Sequence, residues 1–223
     1  MNRTKSTSRL FRLSGLSLIL GGITLFIHYV THPEGESAQF VAMPLWVPSH
    51  VFQFVAWALI LMGLVGLYVR QAEKAGLLGF VAFVFAFVGG MASGGGGLWG
   101  GVVFQELYPN AGDLNGPLFT SPGGRFVFDL AQIWIVAFFL FAVATLRAGM
   151  LPRWPAWLIM LAALAGIAAV ALLPISSPLQ YDIGDMASGM LALALAGWGM
   201  ALWGRVGESA VQSKSTIKAP LSS

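Results

Sequence analysis

Residues 50–69 read HVFQFVAWALILMGLVGLYV, a run without one Asp, Glu, Lys or Arg, and Arg70 follows at once. A helix rises 1.5 Å per residue, so about 20 apolar residues cross the roughly 30 Å hydrocarbon core of a bilayer. The run is continuous rather than alternating, which argues against a barrel strand. Five further stretches share this character, near 11–31, 76–104, 126–146, 155–174 and 186–204. The whole chain carries it as well: 57% of its 223 residues are hydrophobic and 9% are charged, against about 25% charged in ordinary soluble domains. The sequence therefore predicts an all-α fold, a polytopic membrane bundle of six transmembrane helices over residues 1–205. A disordered cytoplasmic tail is expected over 206–223.

The charges sort by side. Arg3, Lys5, Arg9, Arg12, Arg70, Lys74, Arg147, Arg153, Arg205, Lys214 and Lys218 fall at one set of segment ends, and Arg125 alone at the other. Basic residues concentrate on the cytoplasmic side of membrane proteins, so both termini are expected there. The net charge of +3 is then a topology signal and no sign of nucleic-acid binding. The acids sort oppositely: Glu34, Glu36, Glu106, Asp113, Asp129, Asp182 and Asp185 lie on the outer side, with Glu73 and Glu208 inside. His28, His32 and His50, the only histidines, also belong to the outer half. The absence of cysteine removes disulfides, thiolate metal sites and cysteine nucleophiles. The first apolar run follows a basic stretch like a signal peptide, but it is long and has no small-x-small cleavage site before Thr31–Glu36, so it reads as a retained helix.

Arg147-x-Gly149-x-x-Pro152-Arg153-Trp154 ends the fourth span and starts the fifth at once. This turn resembles that of a loosely defined group of uncharacterised six-helix bacterial integral membrane proteins, over the second half of the chain. The resemblance implies a six-helix bundle in a bacterial inner membrane and carries over no functional residues. A weaker echo pairs Trp57 and Arg70 with Trp134 and Arg147, as a duplicated hairpin would.

Gly89-Gly90-Met91-Ala92-Ser93-Gly94-Gly95-Gly96-Gly97-Leu98-Trp99-Gly100-Gly101 interrupts the third span. Each glycine disfavours a helix interior by about 0.8–1 kcal/mol relative to alanine. One reading is close packing of backbones against small residues such as Ala162, Gly166 and Ala169 of span five or Gly189, Ala192, Ala196 and Gly197 of span six. The other is a helix broken at Gly94, Gly95, Gly96 and Gly97 whose backbone lines a pathway.

His28 and His32 are one helical turn apart and can share a face, although Pro33 disfavours helical geometry at His32. His50 opens the second span after Ser49, a candidate N-cap. Imidazoles so spaced can ligate a metal while their second nitrogens hydrogen-bond elsewhere, which makes His28, His32 and His50 candidate metal ligands. Asp129 lies inside span four, where a carboxylate normally faces the bundle interior with a partner. Arg125 is the nearest candidate partner, Gln132 shares its side, and Glu106 ends span three.

Three functions compete. The first is a binding or accessory subunit with an outward-facing pocket of His28, His50, Glu106, Asp129 and Gln132, walled by Tyr29, Trp46, Trp99 and Trp134. Its ligand would be a metal ion, a haem-like tetrapyrrole, a quinone, or a partner subunit, including a second copy of the chain, within the lipid bilayer. The second is a small transporter or channel using the glycine run. The third is a metal-dependent membrane hydrolase, for which His-Glu-x-x-His and Gly-x-Ser-x-Gly are both absent. No lysine lies inside a span, which excludes a retinal Schiff base.

Overall fold

The computed structural model describes residues 3–33, 38–111, 122–173 and 178–216. It is 93% helix with no strand among the described residues. The elements are α1 (Arg3–Thr31), a one-turn α2 (Ala38–Val41), α3 (Trp46–Ala111), α4 (Pro122–Ala148), α5 (Arg153–Leu172) and α6 (Pro178–Thr216). Four helical stretches are long and apolar enough to cross a membrane: Ser8–Thr31, Trp46–Val103, Asp129–Ala148 and Asp182–Gly204. Arg153–Ala169 is a shorter apolar helix. The helix is the natural solution for such sequences, because it satisfies every backbone donor and acceptor within one segment.

The 66-residue α3 is not straight. Gly76 (φ 57°, ψ −153°) has the one non-helical backbone inside it, a left-handed φ that glycine adopts without steric penalty. The chain reverses there. Tyr68 stacks on Phe83 across the turn, with ring centres 4.6 Å apart, and Gly90 lies against the Trp57 ring. The second left-handed residue is Gly149 (φ 62°), whose N–H donates to the Thr145 carbonyl and closes the end of α4. The Arg-x-Gly-x-x-Pro-Arg-Trp turn is thereby explained. Gly149 ends one helix, Pro152 precedes the next, and the Pro152 carbonyl accepts a hydrogen bond from Trp198 Nε1 at 3.3 Å.

The packing closes on itself: α1 lies against α3 and α6, α3 against α4, and α5 between α4 and α6. Leu18, Ile60, Leu64, Phe138, Phe141, Leu195 and Trp198 are fully buried between the helices. Trp57 and Trp134 meet across α3 and α4 at 5.4 Å, so the two tryptophans of the sequence echo are contact partners. Gln71 Nε2 donates to Thr145 Oγ1 at 2.9 Å and ties the same two helices near their turns. The outside carries the reverse composition, with Leu13, Val30, Leu77 and Leu172 each more than 60% exposed. An apolar exterior on this scale belongs in lipid, not water.

Two expectations are corrected. The glycine run is helical throughout, so no break exists at Gly94–Gly97. Its partners are not spans five and six: Gly90, Gly94, Gly97 and Gly101 face Trp57, Gln53 and His50 of α3 itself, and Gly89 faces Ile133 and Trp134 of α4. Ala192 and Gly199 of α6 serve α1 instead, where a Cβ on Gly15 would sit 2.6 Å from the Gly199 carbonyl oxygen and one on Gly22 would meet the Ala192 carbonyl, while Gly197 packs on Trp154 of α5. The α6 helix extends to Thr216, and residues 217–223 lie outside the described residues.

The α1–α6 seam supplies a direct test. Gly15→Ala drives a methyl into backbone that cannot turn aside, and overpacking of this kind costs about 1–3 kcal/mol. Gly189→Ala enters open space on α6. Thermal unfolding in detergent is expected to show a lowered midpoint for G15A and an unchanged or raised one for G189A.

Candidate functional site

The histidines meet where α1 ends and α3 begins. The α1 helix stops at Thr31, because His32 precedes a proline and leaves helical geometry; its N–H still donates to the His28 carbonyl at 2.8 Å. The chain returns through α2, which packs against α3, and Val41 and Trp46 are buried together beneath it. The α3 helix starts at Trp46, so Ser49 lies in its first turn rather than capping it. Its hydroxyl donates back to the Trp46 carbonyl at 2.8 Å.

Two imidazoles are fixed by backbone. His28 Nδ1 lies 2.9 Å from the Ser49 carbonyl oxygen, and His50 Nδ1 lies 2.7 Å from that of Trp46. A carbonyl only accepts, so each Nδ1 carries the hydrogen and each neutral ring keeps its lone pair on Nε2. Both residues are buried. The ring centres of His28, His32 and His50 are separated by 5.1 Å (28–32), 6.1 Å (28–50) and 4.9 Å (32–50). Trp46 adds its ring at 4.4 Å from His50 and 5.5 Å from His32, and Tyr29 lies 4.7 Å from His28. Trp46 Nε1 is a buried donor with no acceptor among the described residues.

The glycine run forms one wall of this site. A Cβ on Gly101 would collide with His50 Cβ and lie 2.7 Å from its Cγ, and a Cβ on Gly97 would strike the Gln53 amide. Only bare backbone lets the second half of α3 lie against His50. Gly95, Gly96 and Gly100 face open space. The unusual composition is therefore functional in one respect: every third or fourth glycine makes room for a residue at or below the histidines.

The other expected residues are placed differently. The side chains of Glu106 and Asp129 are exposed, and Gln132 is half-buried. Asp129 lies two turns into α4, past Phe126, and does not face the interior. Of the expected walls, Tyr29 and Trp46 join the cluster, whereas Trp134 packs on Trp57 and Trp99 is exposed. Glu34, Glu36, Asp113 and the Arg125 side chain lie outside the described residues. Among the described residues, no three His, Asp or Glu side chains stand ready as a metal-holding group. The carbonyl anchors at Trp46 and Ser49 escaped the sequence reading; the four-residue spacing of Trp46 and His50 is the one signal that pointed there. No protein-family model, curated protein or solved structure matches the chain.

His32 gives the site a pH dependence. Burial lowers its pKa from 6.5 to about 4, with nearby His50 adding to the depression and the Pro33 carbonyl opposing it. The folded state then binds fewer protons than the unfolded chain between those values, so this contribution to stability is complete above about pH 6.5 and declines as pH falls towards 4. Unfolding midpoints in detergent are expected to drop over that interval, and His32→Gln is expected to flatten the slope.

Proposed function

We propose that the chain is a six-span bacterial inner-membrane protein with both termini in the cytoplasm, which uses His28, His32 and His50 as a ligand-binding site on its outer side. It acts as a binding or accessory subunit rather than an enzyme. The reversal at Gly76 supports the count of six: the 58-residue apolar stretch of α3 would extend about 87 Å if straight and is long enough for two crossings, and the short α5 is taken as another. The distribution of lysine and arginine supports the orientation.

The binding reading rests on one observation. Two buried histidines on different helices donate Nδ1–H to backbone carbonyls, which leaves the lone pair of each neutral ring on Nε2. Glu106, Asp129 and Gln132 belong to the same outer side, where exposed carboxylates act on an approaching cation through longer-range attraction. The transporter reading loses its main support, because the helix is continuous through Gly94–Gly97.

The absence of cysteine makes the topology straightforward to test. Ala42→Cys is expected to react with a membrane-impermeant maleimide on spheroplasts, and Lys214→Cys only after permeabilisation; the reverse pattern would overturn the orientation. Binding is tested by native mass spectrometry of protein released from detergent. A bound mass present in the wild type and lost in His50→Ala supports the site, and identical unliganded spectra refute it.

A further inference from the structure

We infer that α1 and α6 hold one anionic phospholipid of the leaflet in which α1 begins, with an acyl chain in the groove between them and its phosphate at Arg12 and Arg9. The contact lies away from the histidines and rests only on the chain being a membrane protein.

The first argument is the shape of the seam. The two helices run antiparallel: Gly15 lies against the Gly199 carbonyl and the Trp203 backbone, and Gly22 against the Ala192 carbonyl. Beside these close contacts, Leu16 and Ile19 of α1 and Met200, Trp203 and Gly204 of α6 line an apolar groove of about 210 Å³. Leu16, Met200 and Trp203 are exposed, so the groove opens outward to lipid and not into the core. A further helix, about 10–12 Å across, is too broad to enter it, whereas a single acyl chain is not. Gly204 keeps it open, since a Cβ there would meet nothing within 4 Å.

The second argument is charge. Arg9, Arg12, Leu16 and Ile19 follow one another at intervals of three, four and three residues, which places them on one stripe of α1. Arg12 therefore stands about 6 Å along the axis from Leu16, at the end of the groove, and Arg9 a turn further out. Both are exposed, and neither has a carboxylate partner among the described residues. Yet both fall inside the apolar stretch Ser8–Thr31, where a cation is costly without a partner. A long basic side chain reaches along its helix to the interface, and the anion present there is lipid phosphate. Arg70, at the same end of the bundle, is engaged otherwise, 5.5 Å over the Phe11 ring. The first acid along α6 after the groove is Glu208, one turn past Gly204 and beyond the apolar stretch Asp182–Gly204. The guanidinium groups thus select an anionic headgroup, and the groove fixes its chain.

The test is native mass spectrometry of the full-length protein in detergent, with phosphatidylglycerol or phosphatidylcholine of the same acyl chains added. Expected is one phosphatidylglycerol per chain, retained under activation that strips phosphatidylcholine. Arg12→Gln is expected to weaken that retention about fivefold, and Gly204→Leu, which fills the groove, to abolish it, both folded by circular dichroism. Arg147→Gln, an exposed cation of α4, is the control and is expected to leave it unchanged. Equal retention of the two lipids, equal loss in Arg12→Gln and Arg147→Gln, undiminished retention in Gly204→Leu, or a dimer mass in place of the lipid adduct each overturn the inference. His50→Ala is expected to keep the lipid, so the histidine reading and the lipid contact stand or fall separately.

Discussion

The close approach of helix backbones is the constraint on which the other features of this protein rest. Between lipid-facing helices there is no hydrophobic driving force, because the hydrocarbon outside is as apolar as leucine, and association relies on dispersion and interhelical hydrogen bonds. Dispersion falls steeply with distance, so the helices must come near enough for backbone to touch backbone. Gly15 and Gly199 accomplish this for α1 and α6, and Gly89 does so for α3 and α4. Gly90, Gly94, Gly97 and Gly101 bring the returning half of α3 onto Trp57, Gln53 and His50. With alanine at Gly101, His50 would have to move, and its bond to the Trp46 carbonyl with it.

The same logic orders the site. Helix ends leave backbone groups without intrahelical partners, and the helix start at Trp46 presents side chains that reach back over its first turn. The Trp46 carbonyl accepts from both the Ser49 hydroxyl and the His50 ring. The Ser49 carbonyl accepts from His28 on the other helix, which links α1 to α3 through a buried polar contact. Tautomer, ring plane and helix register are therefore set together by two carbonyl oxygens.

The apolar runs and the helical class were legible in the sequence, because twenty uncharged residues at 50–69 leave few alternatives. The behaviour of the glycine run was not. Propensity describes an isolated helix, and at Gly97 and Gly101 the dispersion attraction of close packing outweighs it. Spacing identified which glycines share a face but not which neighbour that face meets, and the neighbour proved to be α3 itself. The pairing of His28 with His32 followed from a four-residue interval, whereas the arrival of His50 depends on the path through α2, which no local periodicity encodes. Asp129 drew attention because charge is scarce, yet its side chain is exposed, and local periodicity does not say how a helix is turned within its bundle.

The closed packing order has a consequence for how the molecule is made. One face of α1 packs against α6, which is made much later in the chain. Until α6 is inserted, the Gly15–Gly22 edge of α1 has lipid or translocon where its partner will be. The seam therefore closes across the whole bundle rather than hairpin by hairpin, and a chain truncated before Asp182 would leave that edge of α1 open.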